Sequence, residues 1–328
     1  VRDRQACGYL LNFGDPTGPH QLTLSLPHPI MVEPLAIASV LLLQLQQAIP
    51  SRFTPGQLSG GSIPVTGPQS IPLYRSKDTQ RILYISPVAL QLAKQGSIPP
   101  MEIAQAIAES FRNSRPPDLP SPLGANLWNL SVIPPGKLYL ELTDPGIAIW
   151  LQRAIAWDLE SDATPDPGPL PPSESLDLFA IQYAHARCCA LLRLAHREGL
   201  ITLENPTPPG TSTNIGSVTA PDPSAWLESP TRLKPHHPAE RTLISRAIAT
   251  VDALSCPLSP SQITSRLAIA TLLSQDFLTF HAQCQIFGSV QSQDLDLAQA
   301  RLGLIFLTQK LLKRLLEKDF SSLAPLEL

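Results

Sequence analysis

Apolar positions along this chain recur mostly at helical spacing. From Glu33 to Ile49 (EPLAIASVLLLQLQQAI) neither Gly nor Pro interrupts the run after Pro34, which predicts a largely buried helix with Pro34 in its first turn. Pro87 to Gln95 predicts a short helix closed by Gly96, and Pro100 to Arg112 a third, with Ile103, Ala106, Ile107 and Phe111 on one face. Alternation predicts strands at 21–27, at Leu127 to Ile133 and at Lys137 to Leu142. The last two are joined through Pro134-Pro135-Gly136, where Pro-Gly suits the centre of a type II turn. A helix from about Ile147 to Trp157 completes a small α/β block. Further on the pattern turns helical throughout: Leu176 to Glu198, closed by Gly199, then helices near 238–254, 260–287 and 294–318, with Ser259 and Asp294 as N-caps.

Two stretches break this order. Residues 50–72 are rich in Pro, Gly and Ser, and 205–224 form a polar Pro/Thr/Gly segment. Between the blocks, 158–175 (DLESDATPDPGPLPPSES) combines proline with acidic side chains and almost nothing apolar, which marks a domain boundary. The expected organisation is therefore an extension at 1–32, an α/β module at 33–157, a linker at 158–175 and a helical domain at 176–328.

Composition narrows the possibilities. At 328 residues the chain is long enough for two domains, each with a core. Charged residues make up 16%, below the usual quarter or so, and the net charge of −3 excludes a basic nucleic-acid coat. The helical domain carries near-equal numbers of basic and acidic residues. Five cysteines without a CxxC pair or a neighbouring zinc-spaced His read as reduced thiols, so no metal is expected. The longest apolar run, Ala36 to Leu45, is interrupted by Ser39 and Gln44 and is too short to span a bilayer. A cytoplasmic protein without a membrane partner is expected.

The long helices carry a family likeness. Gln182-Tyr-Ala-His-Ala-Arg187-Cys-Cys-Ala-Leu-Leu-Arg193 resembles the opening of the anticodon-binding domain of arginyl-tRNA synthetases. In the same order follow Glu240-Arg-Thr-Leu-Ile244, the aromatic run Leu272 to Cys284, and Ala300-Arg-Leu-Gly-Leu304 leading into Leu311-Leu312 and Leu315-Leu316; these resemble the later segments of that DALR domain. Ser86 to Phe111 and Pro134 to Leu142 resemble the N-terminal additional domain of the same enzymes. The resemblance implies an α+β N-terminal domain followed by an all-α DALR-type anticodon-binding bundle.

It also implies what is missing. Between these two regions a synthetase holds its ATP-binding core, with a His-x-Gly-His signature and a Lys-Met-Ser-Lys loop; here 18 residues occupy that place. His236-His237 lies in the other domain with no glycine between, and there is no GxxxxGK[ST], GxGxxG or GxSxG. The expectation is a protein with no catalytic residues and no cofactor: a tRNA-binding module or adaptor, with tRNA as its partner and arginine tRNA one candidate. A DALR-containing partner of a tRNA methyltransferase offers a parallel, so a tRNA-modifying enzyme is one expected protein partner. The alternative is an interaction scaffold that has lost tRNA. A third reading, arginine–tRNA ligation, needs a catalytic core supplied in trans.

The resemblance assigns the contacts. On the anticodon side Tyr183 would stack a base, with Phe179 one turn before it, His185 and Arg187 following, and Arg301 on the last helix. Each also fits a structural role: Tyr183 and, more so, Phe179 as core residues, His185 as a hydrogen-bonding member of the bundle, Arg187 and Arg301 as partners of an acid. On the elbow side Lys137 would meet a phosphate and Tyr139 a base, where the family has an aromatic and an Asn. The tail Ser321 to Leu328 keeps Pro325 and Glu327 of the family's terminal motif but lacks its basic residue and Met.

Overall fold

The computed structural model describes residues 35–50, 53, 71–94, 96–113, 127–157, 178–204, 215–222, 224–255 and 263–328. The strand expected at 21–27 and the N-cap Ser259 lie outside these residues. Contacts divide the chain into two compact units: Val1–Lys77 with Leu83–Leu123 and Asn129–Glu141, and Asp78–Ile82 with Gly124–Trp128 and Leu142–Leu328.

The first unit sets helices against a small antiparallel sheet. Helix α1 (Ile37–Ala48) buries Ile37, Leu41, Leu45 and Ala48, one face at helical spacing. That face packs on α3 (Pro100–Asn113), which buries Ile103, Ala104, Ile107, Ala108 and Phe111 and also receives the short α2 (Val88–Ala93). The sheet runs β1 (Tyr74–Arg75), β2 (Leu83–Ser86), β4 (Lys137–Leu142), β3 (Trp128–Ile133). In β4 the even positions Leu138, Leu140 and Leu142 are buried while Lys137, Tyr139 and Glu141 stay partly exposed, the period-two alternation of a strand covered on one side. Register places Tyr84 opposite Leu140 and Ile85 opposite Tyr139, and Tyr74 lies across from Ile85. The open face thus carries a row of Tyr74, Ile85 and Tyr139.

The turn between β3 and β4 differs from the expected type II turn centred on Pro135-Gly136. Gly136 N–H donates to Ile133 O at 2.9 Å, which makes Pro134 and Pro135 the central pair and Gly136 the last residue. Gly136 is nevertheless required: its φ is +132°, and an added Cβ would come within 2.9 Å of Pro100.

The second unit is mainly helical. Helices α5 (Phe179–Arg197), α6 (Pro238–Leu254), α7 (Ile263–Gln283) and α9 (Leu295–Arg314) pack on one another, and the short α8 (Ser289–Gln293) lies against α9. Their ends follow local chemistry. Pro238 opens α6 at a position that needs no N–H donor, behind a capping box of His237 and Glu240. Asp294 caps α9 by accepting from Leu297 N at 3.0 Å. Gly199, with φ +73°, closes α5 in a Schellman arrangement: Leu200 N donates to Ala195 O and Gly199 N to His196 O.

Two features depart from an all-α second domain beginning after the linker. The described part of the polar stretch contributes a hairpin, β5 (Thr202–Leu203) with β6 (Val218–Ala220), and a second follows, β7 (Leu227–Ser229) with β8 (Arg232–Leu233). Helix α4 (Asp144–Ala156), expected to complete the α/β block, groups instead with the second unit. Its polar residues explain this. Asp144 accepts from Arg241 Nη2 at 2.6 Å and from Leu233 N at 2.8 Å, and Lys310 Nζ donates to the carbonyls of Ile155 and Trp157 at the end of the helix.

Gln152 of α4 also fixes the indole of Trp226, whose Nε1–H donates to Gln152 Oε1 at 3.0 Å. That ring lies over Gly303 of α9, where a Cβ would come within 2.6 Å of Trp226 Cη2. Gly to Ala inside a helix ordinarily stabilises by about 1 kcal/mol. Here we expect Gly303→Ala to destabilise by about 1–3 kcal/mol, because the indole is held and the contact is overpacked. Chemical denaturation of the two proteins checks the sign.

Candidate nucleic-acid interface

Helix α5 has two unlike faces. Ile181, Ala184, His185, Cys188 and Leu192 are buried. At about 100° per residue, Phe179, Tyr183 and Arg187 project roughly 160–240° away from Ile181. They form one exposed stripe, with Phe179 63% and Tyr183 44% exposed. The two rings are stacked, centroids 6.4 Å apart and planes at 23°. Phe179, for which a core position was favoured, is therefore more exposed than Tyr183. Arg187, one turn further, makes no ion pair among the described residues. Two solvent-facing π surfaces followed by a cation are the elements that bind unpaired bases and their phosphate.

His185, named with that stripe in the sequence, lies inside the bundle and is fully buried. Its Nδ1 is 2.8 Å from Pro325 O; a carbonyl only accepts, so Nδ1 carries the proton. Nε2 then accepts from the Gln309 amide at 3.0 Å. Burial lowers the pKa of the ring to about 4, against the raising effect of the Pro325 bond and with a small further lowering by Lys313. A buried neutral imidazole with both nitrogens engaged has nothing left for RNA.

The partner of His185 belongs to the terminal segment, which turns back at Ser321 (φ +47°) and runs along α5. Gln182 Nε2 donates to Leu323 O at 3.1 Å, and Arg193 Nη2 donates to Leu326 O at 3.0 Å and pairs with Glu327 at 3.1 Å. Thus Pro325 and Glu327, seen in the sequence as remnants of a terminal motif, are held against the helix that carries the aromatic stripe. Leu323 remains 64% exposed beside it.

Arg301 is likewise drawn inward. Its Nε donates to Glu240 Oε1 at 2.6 Å, its Nη1 donates to Gln285 O, and its side chain is 11% exposed. Of the two roles that the sequence left to Arg301, the structure shows partnership with an acid, in an interior ion pair between α9 and α6. The cysteines among the described residues, Cys188, Cys189 and Cys284, are buried as well. Burial pushes the Cys189 thiol up to about 12 and that of Cys284 up to about 11, and Cys188 is raised as well, so all three stay protonated and free.

In the first unit, Lys137 and Tyr139 occupy the partly exposed positions of β4, Tyr139 within the row formed with Ile85 and Tyr74. The ring row offers stacking surface and Lys137 a cation at its edge. Among the described residues no cluster of His, Cys, Asp and Glu is arranged to hold a metal ion, and no helix is long and apolar enough to cross a membrane.

One polar residue of the α5–α7 region was not singled out in the sequence. His281 of α7 is half-buried, its ring 6.2 Å from that of Phe277. Its pKa is lowered by burial first and by the positive charge of Arg187 second.

A stretch of 146 residues is 32% identical to the arginine–tRNA ligase of Gloeobacter violaceus, covering 43% of this chain and 21% of that protein. A stretch of 145 residues is 28% identical to the arginine–tRNA ligase of a Synechococcus strain, covering 44% and 21%. The chain is arginyl-tRNA synthetase-like over this stretch. It spans about a fifth of the length of these relatives. No protein-family model matches it, and no solved structure does.

Proposed function

We propose that this chain is a non-catalytic tRNA-binding or adaptor module of arginyl-tRNA synthetase descent, meeting the anticodon arm through α5 and the elbow through the β3–β4 hairpin. The observation that carries the reading is the solvent-facing pair Phe179 and Tyr183 with Arg187 one turn beyond. Large apolar rings gain by burial, and two of them stacked in solvent beside an unpaired guanidinium suit a ligand with π faces and negative charge. The likeness to arginine–tRNA ligases makes tRNA the leading candidate. With basic and acidic residues nearly balanced, few phosphates are neutralised, so binding is modest and salt-sensitive.

The test is binding of the purified chain to total tRNA across a salt series, with sequencing of what is retained. Retention of arginine tRNAs that weakens with salt supports the reading. The double variant Phe179→Ala/Tyr183→Ala is expected to weaken binding about 5- to 100-fold, as one or two lost stacking contacts require. Its stability should change little, since both side chains are exposed. Unchanged affinity in a folded double variant would remove α5 from the interface.

A second reading, a protein-interaction scaffold, is favoured by the exposed Leu323 and Leu328 on the terminal segment. It predicts no tRNA binding even at low salt. Arginine–tRNA ligation would require a catalytic core in trans, and addition of the chain to a core alone would then restore aminoacylation.

A further inference from the structure

Helix α4, the β5–β6 hairpin with the chain that follows it, and α9 enclose a cavity of about 100 Å³ within the second unit. We propose that it holds the end of an organic cation, an alkylammonium or alkylguanidinium group on an apolar stem. No residue of α5 lines it, so it is a site apart from the aromatic stripe. Ile155, Leu302 and Phe306 supply apolar wall, and Gln152, Asp222 and Gln299 supply polar groups. Gln152 is fully engaged: Oε1 accepts from Ser224 N at 3.1 Å and from Trp226 Nε1 at 3.0 Å, and Nε2 donates to Asp222 Oδ1 at 3.0 Å. Gln299 Nε2 donates to Leu200 O at 2.9 Å. The oxygens left without a partner among the described residues are Oδ2 of Asp222 and Oε1 of Gln299. Asp222 is exposed and makes no ion pair among the described residues. Lys310, beside Phe306, is committed to the carbonyls of Ile155 and Trp157.

The chemistry follows from what is left unpaired. A carboxylate with a free oxygen takes a donor, and a charged donor makes a bond roughly twice as strong as a neutral one. An exposed ion pair alone adds little, so the apolar walls matter as much as the charge. Each methylene buried against them tightens binding about fourfold. Size sets how much of a ligand enters. An apolar cavity of about 150 Å³ takes a benzene ring, so this one has room for about four to six non-hydrogen atoms. That is a charged head group at Asp222 and the methylenes next to it. A lysine or arginine side chain of a partner protein carries this chemistry, and so does a free amine.

The experiment follows the indole N–H signal of Trp226 by NMR while the full chain is titrated with n-butylammonium at pH 7 and constant ionic strength. That N–H donates to Gln152, which lines the cavity, and Trp226→Phe identifies its signal among those of the four tryptophans. A saturable shift with a Kd of about 1–30 mM is expected, the range open to a ligand of this size. The neutral isostere 1-butanol should bind at least about fivefold more weakly. Asp222→Asn keeps an oxygen for Gln152 but loses the charge, so it should weaken the cation about threefold to tenfold. Ala156→Leu, at the exposed rim of the cavity, should abolish binding by filling it. Nα-acetyl-lysine methylamide separates the two sources. Binding like that of butylammonium means that a protein side chain enters, and binding of butylammonium alone means a free amine; the cation site stands in both cases. No saturable shift, butanol binding as tightly as butylammonium, or unchanged binding by folded Asp222→Asn and Ala156→Leu would each overturn the proposal.

Discussion

Glu240→Ala is expected to lower the unfolding free energy by about 3–5 kcal/mol, the cost of breaking a buried ion pair from one side. Glu240 is 1% exposed and both its oxygens are used. Oε1 takes the Arg301 guanidinium at 2.6 Å, and Oε2 accepts from His237 N at 2.7 Å, closing the capping box that starts α6. Alanine leaves Arg301 inside the protein with a backbone carbonyl for company, and it frees an N-terminal donor worth about 1 kcal/mol. Glu240→Gln retains an oxygen for the cap but loses the charge, so a smaller loss is expected. The paired replacement Glu240→Ala/Arg301→Met should recover much of the stability, because it removes the stranded charge along with its partner. Urea unfolding of the four proteins measures this. A loss below about 1 kcal/mol for Glu240→Ala would mean that Arg301 reaches solvent when unpaired, and the expectation that Arg301 meets RNA would regain its footing.

This pair also illustrates what a sequence discloses. Arg301 and Glu240 sit in two segments that carry the family likeness, but sequence separates them by 61 positions, and only the packing of α9 on α6 makes them partners. Local signals were read correctly where the deciding contacts are local. Asp294 starts its helix, Gly199 ends one, and the strand expected at Lys137 to Leu142 is β4. The short strands β1, β2 and β5 to β8 were missed because two to four residues offer no period to recognise and their pairing depends on distant chain. Trp226 is an example: its place is fixed by Gln152 of α4 and by the absence of a side chain at Gly303.

The candidate site was legible in part for the same reason. A helical wheel alone separates Phe179, Tyr183 and Arg187 from the buried Ile181 stripe, so their common face was there to be read. The same wheel puts His185 one turn after Ile181, in line with its alternative role as a hydrogen-bonding member of the bundle; only its partner was hidden, on a terminal segment that returns 140 residues later to accept its proton. Residues that match the family motif in α5 therefore divide into two sets: those on its exposed face and those buried in the bundle. In α5 the two sets alternate along one helix, and substitutions in each should separate binding from stability.

For His185 that separation takes the form of a pH dependence. The native protein is expected to lose about 2 kcal/mol of stability between pH 7 and pH 5 through this residue alone, approaching about 3 kcal/mol at pH 4. The folded-state pKa of about 4 lies below the ordinary 6.5, so the unfolded chain binds the proton first. The contribution is intact above about 6.5, falls as the pH drops through the window between the two values, and levels off below about 4. The structural cause is burial under Pro325, with Nδ1 donating to the carbonyl and Nε2 bound to the Gln309 amide. A proton on Nε2 would face an N–H of Gln309 and the positive charge of Lys313. His185→Gln supplies a side-chain donor and acceptor without titrating, although it fills the space less well. The variant should be less stable than the wild type at pH 7, and the gap should narrow by about 2 kcal/mol at pH 5. Taking the difference between the two proteins cancels the carboxylates that titrate in the same range. A gap that stays constant with pH would mean that the segment Ser321 to Leu328 lifts from α5 before the proton arrives, and that His185 titrates as a solvated imidazole.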